Sequence, residues 1–197
     1  MGSQSILASY SAMVLDSALM MSAEVDILPI ASDRDEINRL SDHLDGSLGQ
    51  ESHFHESFGF HVDGISIETS VLPDGWIDRL IPEVDSGSGA TGWCLDPHDL
   101  AVAKLIAGRP KDNDFVDILV TQRLVDPVVV REGLLAVNDA RSGRAVERLD
   151  AVAARGPPDT ERARWHAKRE RSLAARRART SEPSPAEDLA RLNDDTD

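Results

Sequence analysis

The chain has 197 residues, of which 41% are hydrophobic and 4% aromatic, and its formal net charge is −14. This length fits one domain with an appendage, and the acidic balance argues against a nucleic-acid surface over the whole body. There is no apolar run of about 18 residues and no secretory signal, and the single cysteine Cys94 fits a reducing compartment, so we expect a cytoplasmic protein without a membrane partner.

The first elements alternate between helix and strand. Residues 3–20 are small and apolar and predict a helix. Residues 24–30 predict a half-buried strand, and Ser32 is the expected N-cap of the helix that follows. HFHESFGFHV and GISIETSVL alternate well enough to predict two adjacent strands, with Asp63-Gly64 as their hairpin turn.

The second half of the chain predicts helices. Residues 73–84 predict a turn with a short helix or strand, and residues 86–92 a flexible loop. Asp96 is the expected cap of a helix that ends at Gly108. Three more helical patterns follow, over residues 111–124, 126–138 and 142–154. The order predicts an α+β fold, with a small mixed β-sheet backed by helices and a helical C-terminal half.

Charge divides the chain further. Residues 162–179 contain eight Lys and Arg and one acid, in an otherwise acidic protein. We expect a core at 1–95, a helical part at 96–158, an exposed basic helix at 159–180 and a disordered tail at 181–197. The basic helix is equally compatible with contacts to RNA phosphates and with a solvated tail.

Two acids stand two residues apart on the first predicted strand. Because successive side chains alternate in direction, Glu24 and Asp26 emerge on one face and repel each other. Glu68 on a later strand is the candidate third carboxylate, and Asp63 is the second choice. Mg²⁺ would resolve the repulsion, since it prefers hard oxygen ligands. An E-x-D pair on a strand is nevertheless more often a solvated face.

The other candidate residues have ordinary alternatives as well. Gly2-Ser3 at a helix start would offer phosphate-binding groups, or be a simple N-cap. Lys104 fits an exposed lysine and Cys94 a structural residue. Arg109, Lys111 and Asp112 fit a surface ion-pair cluster. His53, His55 and His61 fit ordinary surface histidines, because no cysteine or fourth metal ligand stands near them in the sequence.

Four segments in this order, GSQSIL, SAEVDILP, VDGISIETSVLPDGW and LDPHDLAVAKLIAGRPKDNDFVDIL, resemble nucleotidyltransferase-fold proteins of the AbiEii type. That group includes the mycobacterial MenT toxins, which transfer nucleotides to the 3′ end of tRNA. The resemblance spans about residues 1–125, and its most specific part is K-L-x-A-G-R-x-K-D.

The resemblance implies a role for each candidate. Glu24 and Asp26 would bind Mg²⁺, with Glu68 as the third catalytic carboxylate that accepts the proton of the attacking hydroxyl. Lys104 would meet the triphosphate of an NTP. The rest of the nucleotide-binding set would be Gly2, Ser3, Arg109, Lys111 and Asp112.

The chain departs from the family pattern at two places. Glu24 stands where the family commonly has Asp, and only Met1 precedes the G-S motif, where the family has a strand. We therefore expect either a start upstream of Met1 or a sheet that lacks one strand.

The resemblance implies a Mg²⁺-dependent nucleotidyltransferase toxin that modifies tRNA and pairs with a cognate antitoxin. Two alternatives remain: a non-catalytic nucleotide-binding or antitoxin-binding module that retains the fold, and an enzyme that modifies a small molecule or a protein.

Overall fold

The computed structural model describes residues 2–10, 15–20, 22–31, 33–155, 170–171, 174–175, 177–178 and 185. The expected cap at Ser32, and most of the predicted basic helix and tail, lie outside these residues. The prediction of an α+β fold is confirmed. Within these residues the strands form two separate two-stranded sheets, one parallel and one antiparallel, instead of one mixed sheet.

The N-terminal segment does not form one continuous helix. It contains a 3-10 helix at Ser3–Ala8 and the short helix α1 at Ser17–Met20. Ile6 is completely buried, and the Tyr10 hydroxyl donates a hydrogen bond to the Leu124 carbonyl oxygen in the C-terminal half. These distant contacts hold the segment against the rest of the domain, and no local sequence signal predicts them.

The parallel sheet consists of β1 at Glu24–Ile27 and β2 at His61–Gly64. Helix α2 at Arg34–Leu48 and helix α3 at His53–Phe58 lie between the two strands in the chain. Asp33 caps α2, since its side chain accepts a hydrogen bond from the Glu36 amide.

The predicted hairpin at Asp63-Gly64 is wrong, because both residues belong to β2. A Cβ on Gly64 would overlap the backbone of Ser41, and the Gly64 amide donates to Asp45 Oδ1 at 2.5 Å. Gly64 therefore allows α2 to approach the sheet closely and does not form a turn.

The strand predicted for HFHESFGFHV is also wrong over most of its length. Ser52 caps α3 by accepting from the His55 amide, and Gly59 ends it with a left-handed φ of 75°. Local capping thus prevails over the weak alternation. The strand predicted for GISIETSVL is replaced by a loop with a 3-10 turn at Ile67–Thr69.

The antiparallel sheet pairs β3 at Ile81–Val84 with β4 at Thr91–Cys94. The predicted flexible loop connects these two strands. Ile81 is completely buried and packs with Ala8 of the N-terminal 3-10 helix and with Cys94. This sheet therefore packs beside the N-terminal segment.

The C-terminal half confirms the four predicted helices: α4 at Pro97–Ala107, α5 at Pro110–Thr121, α6 at Pro127–Ala136 and α7 at Ser142–Ala153. Asp96 caps α4 by accepting from the His98 amide, and Gly108 ends it with φ of 64°. Much of the core comes from α4 and α5, at Leu100, Ala101, Val102, Leu105, Val116 and Leu119. None of the described helices is both long and apolar enough to cross a lipid bilayer.

Candidate active site

The parallel pairing of β1 with β2 brings three carboxylates together. Asp26 lies opposite Asp63 in the register, and Glu24 lies opposite His61. One oxygen from each of Glu24, Asp26 and Asp63 lies within 4.8 Å of the others. All three side chains are half-buried, so the group is reachable from solvent but partly shielded from it. We call these three residues the acidic triad.

The electrostatics of the triad are unfavourable without a cation. Burial raises the pKa of Asp26, and the neighbouring charge of Glu24 raises it further. Asp63 acts in the same direction, whereas Lys104 opposes them. Oxygen ligands that repel one another and that lie on a sheet suit a divalent cation such as Mg²⁺.

Gly2 borders the triad directly. A Cβ built on this residue would overlap Asp26 Oδ2, so a larger residue would displace either the carboxylate or the N-terminal backbone. Ser3, the next residue, lines the cavity beside Glu24 and Lys104. The G-S motif thus lies next to the paired acids.

A cationic wall faces the triad from the junction of α4 and α5. Asp112 is almost completely buried. Its carboxylate accepts a hydrogen bond from Arg109 Nε at 2.6 Å and forms an ion pair with Lys104 Nζ at 3.1 Å. Lys104 is itself only 12% exposed, and its Nζ lies 5.8 Å from the Phe115 ring centroid. Lys104 is therefore a nearly buried cation rather than an ordinary surface lysine.

Asp112 anchors that wall. Burial alone would raise the pKa of this carboxyl, but the hydrogen bonds and positive charges of Arg109 and Lys104 outweigh burial and hold the pKa below its ordinary value. Asp112 is thus a charged support for the two cations, and we assign it no direct contact with a ligand.

The two walls enclose a cavity of about 480 Å³, which we call the cationic cavity. Lys111 bridges them, with Nζ at 3.5 Å from Glu24 Oε2, and is 63% exposed. Of the residues predicted from sequence, the cavity is lined by Ser3, Glu24, Asp26, Lys104, Arg109, Lys111 and Asp112. A basic wall opposite an acidic one can hold a polyanion and its metal counterion together.

Glu68, the predicted third carboxylate, lines one cavity with the acidic triad but does not belong to its cluster of oxygens. Its carboxylate forms an ion pair with Arg34 at the start of α2, because residues 67–69 form a 3-10 turn instead of a strand. Hydrogen bonds from its own amide and from Ser66 hold its pKa below the ordinary value, and Arg34 adds to this. Asp63, the second choice, occupies the position beside Glu24 and Asp26.

His61 lies in the candidate site, although the sequence pattern predicts a surface histidine at this position. Its side chain is 15% exposed and lines the cationic cavity, and its Nε2 lies 3.6 Å from Asp63 Oδ1. His53, in contrast, is on α3 and 96% exposed. The signal that distinguishes the two is the strand register, which pairs His61 with Glu24.

Comparison with known families agrees with this geometry. Residues 1–133 match the family described as "Nucleotidyltransferase of unknown function (DUF6036)". The chain belongs to this nucleotidyltransferase family. No curated protein and no solved structure shows significant similarity to it. The matched region contains the acidic triad, the G-S motif and the cationic wall, so the family assignment covers every residue of the candidate site.

Proposed function

We propose that the protein transfers a nucleotide from an NTP to the 3′ hydroxyl at the end of a tRNA, in a Mg²⁺-dependent reaction. The observation that carries the proposal is that the acidic triad lines one cavity of about 670 Å³ together with Lys104 and Arg109. The family supplies the reaction class. The choice of tRNA as acceptor rests on the resemblance to AbiEii-type proteins.

In this proposal Glu24, Asp26 and Asp63 hold the cation. Bound Mg²⁺ would polarise the α-phosphate and favour ionisation of the attacking hydroxyl. The hydroxyl oxygen forms a bond to the α-phosphorus, the bond from that phosphorus to the β-phosphate bridging oxygen breaks, and pyrophosphate leaves. Lys104 and Arg109 bind the leaving phosphates, because both cations line both cavities beside the triad.

The proton of the attacking hydroxyl goes to Asp63 in this mechanism. Glu68 is a poorer acceptor because Arg34 already engages its carboxylate and its pKa is lowered. Asp63 lies within 4.8 Å of the other two carboxylates. It also lines the cavity of about 670 Å³, which extends from Lys104 and Arg109 of the cationic wall to a polar group at Thr69, Ser70 and Arg141. We assign this polar cavity to the acceptor end of the RNA.

Incubation of the protein with each α-labelled NTP and total tRNA, with Mg²⁺ or with EDTA, tests the reaction. We expect label at the tRNA 3′ end with Mg²⁺ and none with EDTA. Asp42→Asn is the matched control for triad variants, since Asp42 is exposed on α2. Labelling of a protein or a small molecule instead of tRNA would contradict the proposal that tRNA is the acceptor. Binding of NTP without transfer would support the non-catalytic alternative.

The toxin role is a separate part of the proposal and also rests on the resemblance. We expect induced expression to arrest growth and the Asp63→Asn variant to be tolerated. Co-expression of a cognate antitoxin should relieve the arrest. Normal growth during expression of active enzyme would reject the toxin role and leave the transfer reaction intact.

A further inference from the structure

A second cavity, of about 460 Å³, is lined by Asp26 of the acidic triad and by none of the residues of the cationic wall. Its lining is mainly apolar and includes Trp76 and Leu80, both 5% exposed, and the half-buried Trp93 of β4. Ile30, which is 39% exposed, stands at its rim. We call it the tryptophan cavity. It holds two of the three tryptophans in a chain that is only 4% aromatic.

This cavity is continuous with the proposed reaction centre. Gly2 and Asp26 line it, and both also line the polar cavity that contains Asp63. Asp26 lines the cationic cavity as well. Asp26 therefore lines three cavities, of which the cationic and the polar ones share Lys104 and Arg109 and the third is aromatic and apolar.

We propose that the tryptophan cavity binds the nucleoside of the NTP and that Trp93 is a positioning residue that stacks on the base. The inference rests on the proposed function. With the α-phosphate at Asp26 and the leaving phosphates beside Lys104, the nucleoside must extend in another direction. A base has apolar faces that stack on indole rings, and the cavity is within the usual range of about 300–1,000 Å³ for small ligands.

Polar groups at the edge of the cavity complete the fit to a base. Gln4 lines it, and its Nε2 donates to the Ser22 carbonyl oxygen at 3.0 Å. That hydrogen bond fixes the amide orientation, because only the nitrogen can donate, and leaves Oε1 as an acceptor for a base or ribose donor. Thr91 adds a hydroxyl to the same lining.

Binding measurements on the full chain separate the two ends of the nucleotide. The probes are the NTP that binds most tightly and inorganic tripolyphosphate, both with Mg²⁺. We expect Trp93→Ala to weaken NTP binding about tenfold, as the loss of one stacking contact predicts, and to leave tripolyphosphate binding within twofold. Trp93→Phe should retain most of the NTP affinity. Phe58→Ala is the control, since Phe58 is 65% exposed on α3.

The single cysteine provides a test that needs no substitution. Cys94 lines the tryptophan cavity, so alkylation by N-ethylmaleimide reports on that cavity alone. We expect the NTP to slow alkylation at least threefold and saturating tripolyphosphate to leave the rate unchanged. This readout remains decisive if Trp93→Ala fails to fold.

The outcomes distinguish this inference from the proposed function. Unchanged NTP affinity in Trp93→Ala, or an unchanged alkylation rate with saturating NTP, would overturn the nucleoside assignment. The proposed function would still stand in that case if Lys104→Ala lowers the affinity for both NTP and tripolyphosphate. Wild-type protein that binds neither probe would overturn the proposed function together with this inference.

Discussion

Each wall of the candidate site contains an aspartate that is at least half-buried, and the neighbouring groups shift the pKa of the two aspartates in opposite directions. Asp26 on the sheet has acidic neighbours, and burial with the charge of Glu24 raises its pKa. Asp112 at the α4–α5 junction is more deeply buried, but Arg109 and Lys104 compensate for this and its pKa is lowered. The helical wall satisfies its charges internally, whereas the sheet wall leaves like charges together.

This difference separates residues that stabilise the fold from residues that stabilise a ligand. An ion pair with good hydrogen bonds offsets the cost of burying Asp112. In the acidic triad the pKa of Asp26 stays raised although Lys104 opposes the shift, and an added cation would offset the remaining repulsion. Substitutions on the two walls should therefore have opposite effects on stability and activity.

Asp26→Asn should produce the largest change in activity. It removes a ligand charge at almost constant volume, so we expect tRNA labelling to fall about a hundredfold to a thousandfold, as for loss of a central electrostatic group. The melting temperature without metal should remain level or rise. Labelling at the wild-type rate in this variant would remove Asp26 from the mechanism.

Asp112→Asn should produce the largest loss of stability. It leaves Lys104, only 12% exposed, without its carboxylate partner, so we expect a loss of about 3 kcal/mol in the free energy of unfolding. Urea denaturation measures this loss. Arg109→Gln is the matched comparison. Because Arg109 is 54% exposed, this substitution should lower the free energy of unfolding by less than Asp112→Asn does. Equal losses for the two variants would contradict the burial argument.

Two lysines test whether burial on the cationic wall matters for ligand binding. Lys104→Ala should weaken NTP affinity about tenfold, because a shielded ammonium–phosphate contact is strong. Lys111→Ala should change it about twofold, since Lys111 is 63% exposed and solvent screens its charge. Titration calorimetry with the same NTP compares them. A larger loss of NTP affinity in Lys111→Ala than in Lys104→Ala would contradict the assignment of Lys104 as the main phosphate-binding lysine.

The pH dependence of stability should be the smallest effect, and its sign differs between the walls. The raised pKa of Asp26 means that its ionisation destabilises the metal-free fold, and this penalty disappears as pH falls from neutral through the raised pKa toward 3.8. The stabilising effect of Asp26→Asn should therefore shrink on acidification. The lowered pKa of Asp112 means that its stabilising contribution is complete above 3.8 and is lost as pH falls from 3.8 through the lower folded-state pKa. Thermal melts of both asparagine variants against pH measure the two trends.

Local sequence signals determined the helical half of this protein. Asp96 and Gly108 delimit α4, and a proline in the first turn marks α4, α5 and α6. These signals are reliable because helical hydrogen bonds and caps join residues that are close in the chain. The same locality made Glu24 and Asp26 visible as a pair, and brought Lys104, Arg109 and Asp112 into one motif across a single helix–helix junction.

Only the tertiary structure decided which acid completes the triad. Asp63 reaches Asp26 through parallel pairing of strands separated by two helices, whereas the sequence favoured Glu68 on a strand that does not form. The short alternating segments around His53 and Ile65 fit several conformations. Their choice depends on the Ser52 cap, on the close approach of Gly64 to α2, and on the pairing of Glu68 with Arg34. Strand register and ion pairing across the fold are contacts between distant residues, so no local pattern fixes them.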